Sequence, residues 1–295
     1  MIWSDMITIT SNGKFPGDKL KRDERFAKLY HYTSFDTFVK IWLTKQLKFG
    51  IISAVNDIQE TTKGISCDLI QQTALICAYQ DIRISYKQIS LTMDYDSYYK
   101  GCMSPMMWGH YADKRKGVCI ELDYNKLCFS RNTIKGIVNY KKLLNKSTKI
   151  PPEAKTGKCI KTFIQKNAKE IFFTKQSSWR GENEFRIVSS DSDYLDISNA
   201  ISTIYLTSND SQECLLTEKL VDGIIPVKHI HYIESRFKAI PVITDTKSSR
   251  EQMENAKKSE DNALMIIYQQ AKEKYDSLKH DENASLLIDT YNCNR

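Results

Sequence analysis

Ten residues, Trp179 to Val188 (W-R-G-E-N-E-F-R-I-V), bring two carboxylates and a guanidinium together at a spacing that can do chemistry. Read as a strand, the segment sends residues i, i+2 and i+4 to one side. Glu182, Glu184 and Arg186 then share a face, and Phe185 and Ile187 enter a core from the other. Like charges that close repel, so one carboxylate holds its proton more firmly than its neighbour. Such a pair can stabilise a developing cation or abstract a proton. The competing reading is a solvated strand with an Arg–Glu pair, which is worth little.

Two other clusters carry reactive side chains. H-Y-T-S at 31–34 closes an early strand, and S-P-M-M-W-G-H-Y-A at 104–112 sets Trp108 and Tyr111 three apart on a short helix. Taken alone, His31 between aromatics reads as a buried imidazole bonded to backbone. Trp108 and Tyr111 read alone as core, Tyr140 as a strand aromatic, and Asn56-Asp57 as a turn. Other chemistries lack their signatures. The chain has no P-loop, G-x-G-x-x-G, G-x-S-x-G or kinase catalytic loop. Five histidines without H-x-x-x-H or H-E-x-x-H spacing argue against a zinc site, so no metal is expected and His229 and His231 read as structural.

Several elements must position these groups. Leu29–Thr33 reads as a strand, followed by a helix capped by Ser34 with apolar residues at Phe35, Phe38, Val39, Trp42 and Leu43. A strand is expected over 47–53, a helix over 65–80 and a strand over 89–93. A short helix opened by Ser104 and Pro105 follows, then strands over 118–123 and 134–140. Pro151-Pro152 open a helix to about Thr174, ahead of the acidic strand, and further strands are expected over 202–207, 221–227 and 240–244. Strands and helices interleave without a βαβ rhythm, which argues for α+β.

Three parts are expected: an N-terminal arm over 1–25, one domain over 26–247 and a helical extension over 248–295. The extension carries a narrow apolar stripe from Leu264 to Leu278 that fits docking on the domain, on a second copy or on another partner. With 41% hydrophobic and 11% aromatic residues a real core is expected. A net charge of +7 permits an anionic partner, nucleic acid included, without demanding one. Eight scattered cysteines with no C-x-x-C pair, no apolar run of membrane-spanning length and no signal peptide point to a cytoplasmic protein with no membrane association.

From about residue 28 to 230, the chain resembles a bacterial family known only as a domain of unknown function. The motifs are Y-H-Y-T-S, N-D, M-W-G-H-Y-A-D-x-x-x-G-V-C-I-E-L-D, I-V-N-Y and W-R-G-E-N-E-F-R-I-V. The H-Y-T start and the late N-E-F-R-I-V segment also resemble the first and last motifs of the ADP-ribosyltransferase superfamily. Its poly(ADP-ribose) polymerase-like branch carries a His, a Tyr and a Glu on successive core strands. That resemblance implies a split, mixed or antiparallel β core surrounded by helices, with NAD as substrate and either ADP-ribosyl transfer to a protein or nucleic-acid acceptor or NAD hydrolysis. Such families are common among bacterial toxins and anti-phage effectors. It also implies roles: Glu184 as the catalytic glutamate on the nicotinamide ribose, Glu182 as acceptor-orienting base, and His31 on a ribose of NAD, with Tyr32 and Thr33 beside it. Trp108 and Tyr111 would face the cofactor, and Arg186 would hold a phosphate or pair with Glu184. The family's middle tyrosine lies on a strand, whereas Tyr111 reads as helical; Trp108 and Tyr140 are the other aromatics for that part, and Ser90 and Thr92 occupy the place of a serine-threonine-serine strand. Loss of nicotinamide leaves an oxocarbenium-like centre that a fixed carboxylate stabilises. Two other functions stay open: an inert nucleotide- or nucleic-acid-binding module, and a metal-independent nuclease using His31 with the glutamates.

Overall fold

A computed structural model of the chain describes residues 27–54, 73–97, 99–142, 157–207, 212–235 and 238–245. The chain divides into two compact units, 1–243 and 244–295. The expected arm over 1–25, Asn56-Asp57 and the helices expected after 248 lie outside the described residues.

The fold is α+β. In chain order the elements are β1 (Lys28–Thr33), α1 (Phe35–Thr44), β2 (Gln46–Lys48), β3 (Gly50–Ile51), α2 (Thr73–Ile84), β4 (Lys87–Met93), α3 (Pro105–Tyr111), β5 (Val118–Asp123), β6 (Ile134–Ile137) and β7 (Asn139–Lys141). They continue with α4 (Gly157–Lys166), α5 (Ala168–Phe172), β8 (Thr174–Gln176), β9 (Glu184–Ser189), β10 (Tyr194–Asp196), β11 (Ile201–Leu206), α6 (Gln212–Val221), β12 (Val227–Ser235) and β13 (Lys238–Asp245). Among the described residues, nine strands form one sheet in the order β13-β12-β11-β5-β1-β4-β9-β6, with β3 added at β4. Most neighbours are antiparallel, and β11–β12 is parallel.

The capping chemistry acts where the sequence places it. Ser34 Oγ accepts from Thr37 N and starts α1, whose buried stripe is Phe38, Ile41 and Trp42. Ser104 Oγ accepts from Met107 N, with Pro105 in the first turn of α3. After α3, Gly117 lets the chain pass the backbone of β1; a Cβ there would sit 2.1 Å from Thr33 O.

Several expected elements differ. Of the helix expected over 151–174, residues 151–156 lie outside the described residues and the rest is broken at Asn167 into α4 and α5; the strand over 134–140 is two strands that separate at Val138. No strand runs over 221–227: α6 ends at Val221 and a turn with Gly223 at φ +70° leads into β12. The acidic segment is only partly a strand. Residues Ser177–Glu182 form a tight 3-10 coil, Asn183 adopts the left-handed conformation at φ 46°, and β9 starts at Glu184. Asn supplies this turn because its short polar side chain tolerates positive φ.

The sheet buries Leu29, Leu91, Ile120, Phe185 and Ile187 beneath Phe38 and Trp42 of α1. Alternation then turns Glu184 and Arg186 to the opposite face. There, two smaller cores flank them: one of Tyr86, Ile164, Ile171 and Phe172, the other of Tyr30, Tyr32, Trp108 and Tyr205. The register sets Thr92 against Glu184, Ser90 against Arg186, and Tyr30 against Thr92, so these residues share that face. No helix among the described residues is long and apolar enough to cross a membrane.

Candidate active site

The site grows from an interruption in strand pairing. β1 pairs with β5 at all six of its residues but meets β4 at only two positions, Leu29↔Met93 and Tyr30↔Thr92. On the same edge of β4, β3 pairs at Gly50↔Gln88 and Ile51↔Lys87. Ile89, Ser90 and Leu91 are left between the two partners, and a cavity of about 300 Å³ opens there. Such a volume lies at the small end of ligand sites, which span roughly 300–1,000 Å³. His31 stands on one bank, Lys48 and Gly50 on the other, and Glu182, Glu184, Arg186, Lys175 and Tyr111 line it as well.

The carboxylates are held differently. Arg186 donates to both oxygens of Glu184, Nε to Oε1 at 2.6 Å and Nη2 to Oε2 at 2.7 Å, while Nη1 donates to the Phe172 carbonyl. This bidentate geometry is the strongest form of carboxylate pairing. Glu182 receives Tyr111 OH on Oε1 at 2.5 Å and Lys175 Nζ on Oε2 at 2.6 Å. The Lys175 ammonium also stands 3.7 Å from Glu184 Oε2 and over the Trp179 ring. The main chain is pinned as well: Tyr140 OH accepts from Glu184 N, and Asn183 Nδ2 donates to the Met93 and Asp94 carbonyls at 3.0 Å each.

These contacts split the titrations. Burial works to raise the Glu184 carboxyl, but Arg186 and Lys175 overcome it and hold the group down to about 2. Burial raises Glu182, with repulsion from Glu184 adding to it, and Lys175 and Tyr111 offset this only in part. One carboxylate is a fixed anion and its neighbour a better proton acceptor, a division typical of acid–base sites. Desolvation lowers His31 to about 4, partly opposed by its hydrogen bond to the Ser90 backbone across the gap. His31 therefore presents a neutral imidazole at physiological pH.

The expected site residues meet this geometry unevenly. His31, Tyr111, Glu182, Glu184 and Arg186 converge on the cavity. Glu182 reaches it from the coil before β9 and not from the strand face, correcting the shared-face expectation. Arg186 is 2% exposed and donates to Glu184 and to the Phe172 carbonyl, so of its two expected roles its contacts match the pairing. Trp108 is fully buried: it donates Nε1 to the Cys102 carbonyl and packs edge-on to Tyr32, so it is core and not a stacking platform. Tyr32 borders the cavity, but its hydroxyl is spent on the Gly101 carbonyl. Thr33 is buried beyond the cavity lining. Tyr111 contributes a hydroxyl to Glu182 from the end of α3. His229 bonds Glu218 at 2.7 Å, as a structural histidine does.

Two cavity residues escape sequence reasoning. Lys175 comes just after the apolar run Ile171-Phe172-Phe173, and an ammonium so placed is buried only when it has a partner, here Glu182. Lys48 carries no sequence signal, because only the β1–β3 gap brings it to the site. Among the described residues, no group of three or more His, Cys, Asp or Glu side chains is disposed to hold a metal ion.

Compared with known proteins, residues 107–187 match a family described as "Protein of unknown function (DUF2971)". The matched span runs from α3 into β9 and includes Tyr111, Lys175, Glu182, Glu184 and Arg186. No curated protein matches the chain.

Proposed function

We propose that the chain is an NAD-using enzyme of ADP-ribosyltransferase type, transferring ADP-ribose to a protein or nucleic-acid acceptor or to water. The observation that carries this reading is the order of neighbouring strands around the cavity: His31 on β1, Ser90 and Thr92 on β4, Glu184 on β9. That order parallels the His, serine-threonine and Glu strands implied by the resemblance; β4 carries no tyrosine of the branch's middle motif.

The chemistry follows from the residues. The bond between the ribose carbon and the nicotinamide nitrogen breaks, and nicotinamide leaves with the electron pair as a neutral base. The sugar is left as an oxocarbenium-like cation. Glu184, anionic down to about pH 2, stabilises that charge without a competing protonation. Glu182, with its raised proton affinity, takes the proton of the attacking hydroxyl, amine or water as the new bond forms. Neutral His31 can donate or accept a hydrogen bond at a sugar hydroxyl without bringing a second positive charge to the cation. The same neutrality disfavours the nuclease reading, in which an imidazolium would protonate a leaving oxygen.

A second reading has its own observation. Both Glu184 oxygens are engaged by Arg186, which draws charge away from a passing cation and suits a non-catalytic nucleotide-binding module. One experiment separates the two. Purified protein is incubated with NAD, with and without protein or RNA acceptors, and free nicotinamide is measured beside Glu184→Gln. Release that depends on Glu184 supports the enzyme. NAD binding with no release under any condition leaves the binding module.

A further inference from the structure

The inner cations of the cavity are already neutralised. Lys175 and Arg186 face Glu182 and Glu184, two positive charges against two negative ones, and His31 adds none. Arg186 and Lys175 are also 2% and 5% exposed. Among the described residues, no unneutralised cation at the buried end therefore attracts an anion, although a dinucleotide must bring its pyrophosphate somewhere.

We propose that Lys48 is the phosphate anchor of this cavity, a role that rests on the reading of the cavity as a nucleotide site and adds a residue to it. Lys48 is exposed, ends β2 and lines the bank opposite His31. It makes no ion pair or hydrogen bond with any described residue. Its backbone is held on both sides, by Tyr194↔Lys48 in the β2–β10 pair and by Gly50↔Gln88 in the β3–β4 pair. The ammonium is thus rooted at the cavity, with no partner among the described residues. A second observation gives the ligand a polar inner part. Thr92 Oγ1 is buried in the cavity wall without a hydrogen-bond partner among the described residues, while the Ser90 hydroxyl beside it is hydrogen-bonded to Glu184. A buried unpaired hydroxyl is unfavourable until something pairs with it. Hydroxyls at the Thr92 end and negative charge at the Lys48 end describe a ribose with its phosphates directed outward.

The test is calorimetric titration of NAD, nicotinamide riboside and inorganic pyrophosphate into the wild type, Lys48→Ala, Lys48→Arg and a remote control, Lys219→Ala. Lys48→Ala is expected to weaken NAD and pyrophosphate about tenfold, the scale of one charge-assisted contact, and to leave nicotinamide riboside unchanged. Lys48→Arg should keep most of the affinity, Lys219→Ala all of it, and the urea midpoint of Lys48→Ala should match the wild type. The anchor is overturned if Lys48→Ala binds NAD as the wild type does, if it loses riboside and NAD equally, or if Lys219→Ala loses as much. Pyrophosphate bound through Lys48 without any NAD binding would retain the anchor and sink the NAD reading. No binding of either phosphate-bearing probe would overturn both.

Discussion

At the scale of single residues, the site separates two carboxylates that the sequence makes look equivalent. Glu184 is bound on both oxygens by Arg186 and ionised throughout the physiological range, whereas Glu182 is held by one ammonium and one phenol. Glu184→Gln should reduce nicotinamide release at least 100-fold, in line with removal of a group aimed at transition-state charge. It should also lower stability by about 3 kcal/mol, because Arg186 is left buried with half its partner. Circular dichroism with urea titration at the assay temperature distinguishes the two effects. Acid sensitivity has two sources with different windows. A carboxyl depressed to about 2 from an unfolded value near 4.5 contributes stability above that value, lost as pH falls from 4.5 through 2. His31, lowered to about 4 from 6.5, leaves the unfolded chain with more bound protons between those values, so stability falls as pH drops from 6.5 to 4. Urea midpoints at pH 7 and pH 5 should differ less in His31→Gln than in the wild type; equal differences would show that His31 does not titrate this way.

Elements decide how these residues meet. The chemistry-bearing segment looks like a continuous strand because W-R-G-E-N-E-F-R-I-V alternates, yet the chain turns at Asn183 before β9 begins. That left-handed residue donates to Met93 and Asp94 at the end of β4 and so locks the coil carrying Glu182 against the strand next to Glu184. Asn183→Ala loses both bonds and takes on positive-φ strain, for an expected loss of about 2–4 kcal/mol. Asn183→Gly keeps the backbone conformation and should lose about 1–2 kcal/mol less. Denaturant unfolding of both variants checks the ordering, and a Gly variant less stable than the Ala variant would refute the turn argument. Other elements were plain from local chemistry. Ser34 and Ser104 cap helices where their spacing predicts, and V-C-I-E-L-D is a strand over the expected residues. The strand expected at 221–227 was misplaced because Leu220, Val221, Ile224 and Ile225 satisfy a strand pattern as well as a helix end and turn. Short apolar runs do not distinguish the two.

For the molecule as a whole, the cavity exists because β1 and β3 divide one edge of β4 between them. A ligand that binds there stabilises the fold by mass action. NAD at a hundred times its Kd should add about 2.7 kcal/mol, read as a rise in the thermal midpoint that Lys48→Ala reduces at fixed NAD. No rise at millimolar NAD would argue against a dinucleotide ligand. The sequence by itself determined the α+β class, the cap positions, the alternation that turns Phe185 and Ile187 inward, and Glu184 as the residue to test. All of these are local properties, set by side-chain spacing and turn chemistry within about ten residues. Only the tertiary structure decided that Trp108 is core, that Arg186 is spent on Glu184, that Lys175 joins the two carboxylates, and that Lys48 reaches the same cavity. Lys48 joins Lys175, Glu184 and Arg186 from more than a hundred positions away through strand register and the gap at β4, a distance no local pattern encodes. Lys175 and Arg186 lie within ten residues of the glutamates, but burial and the coil before β9 decide that they turn to them.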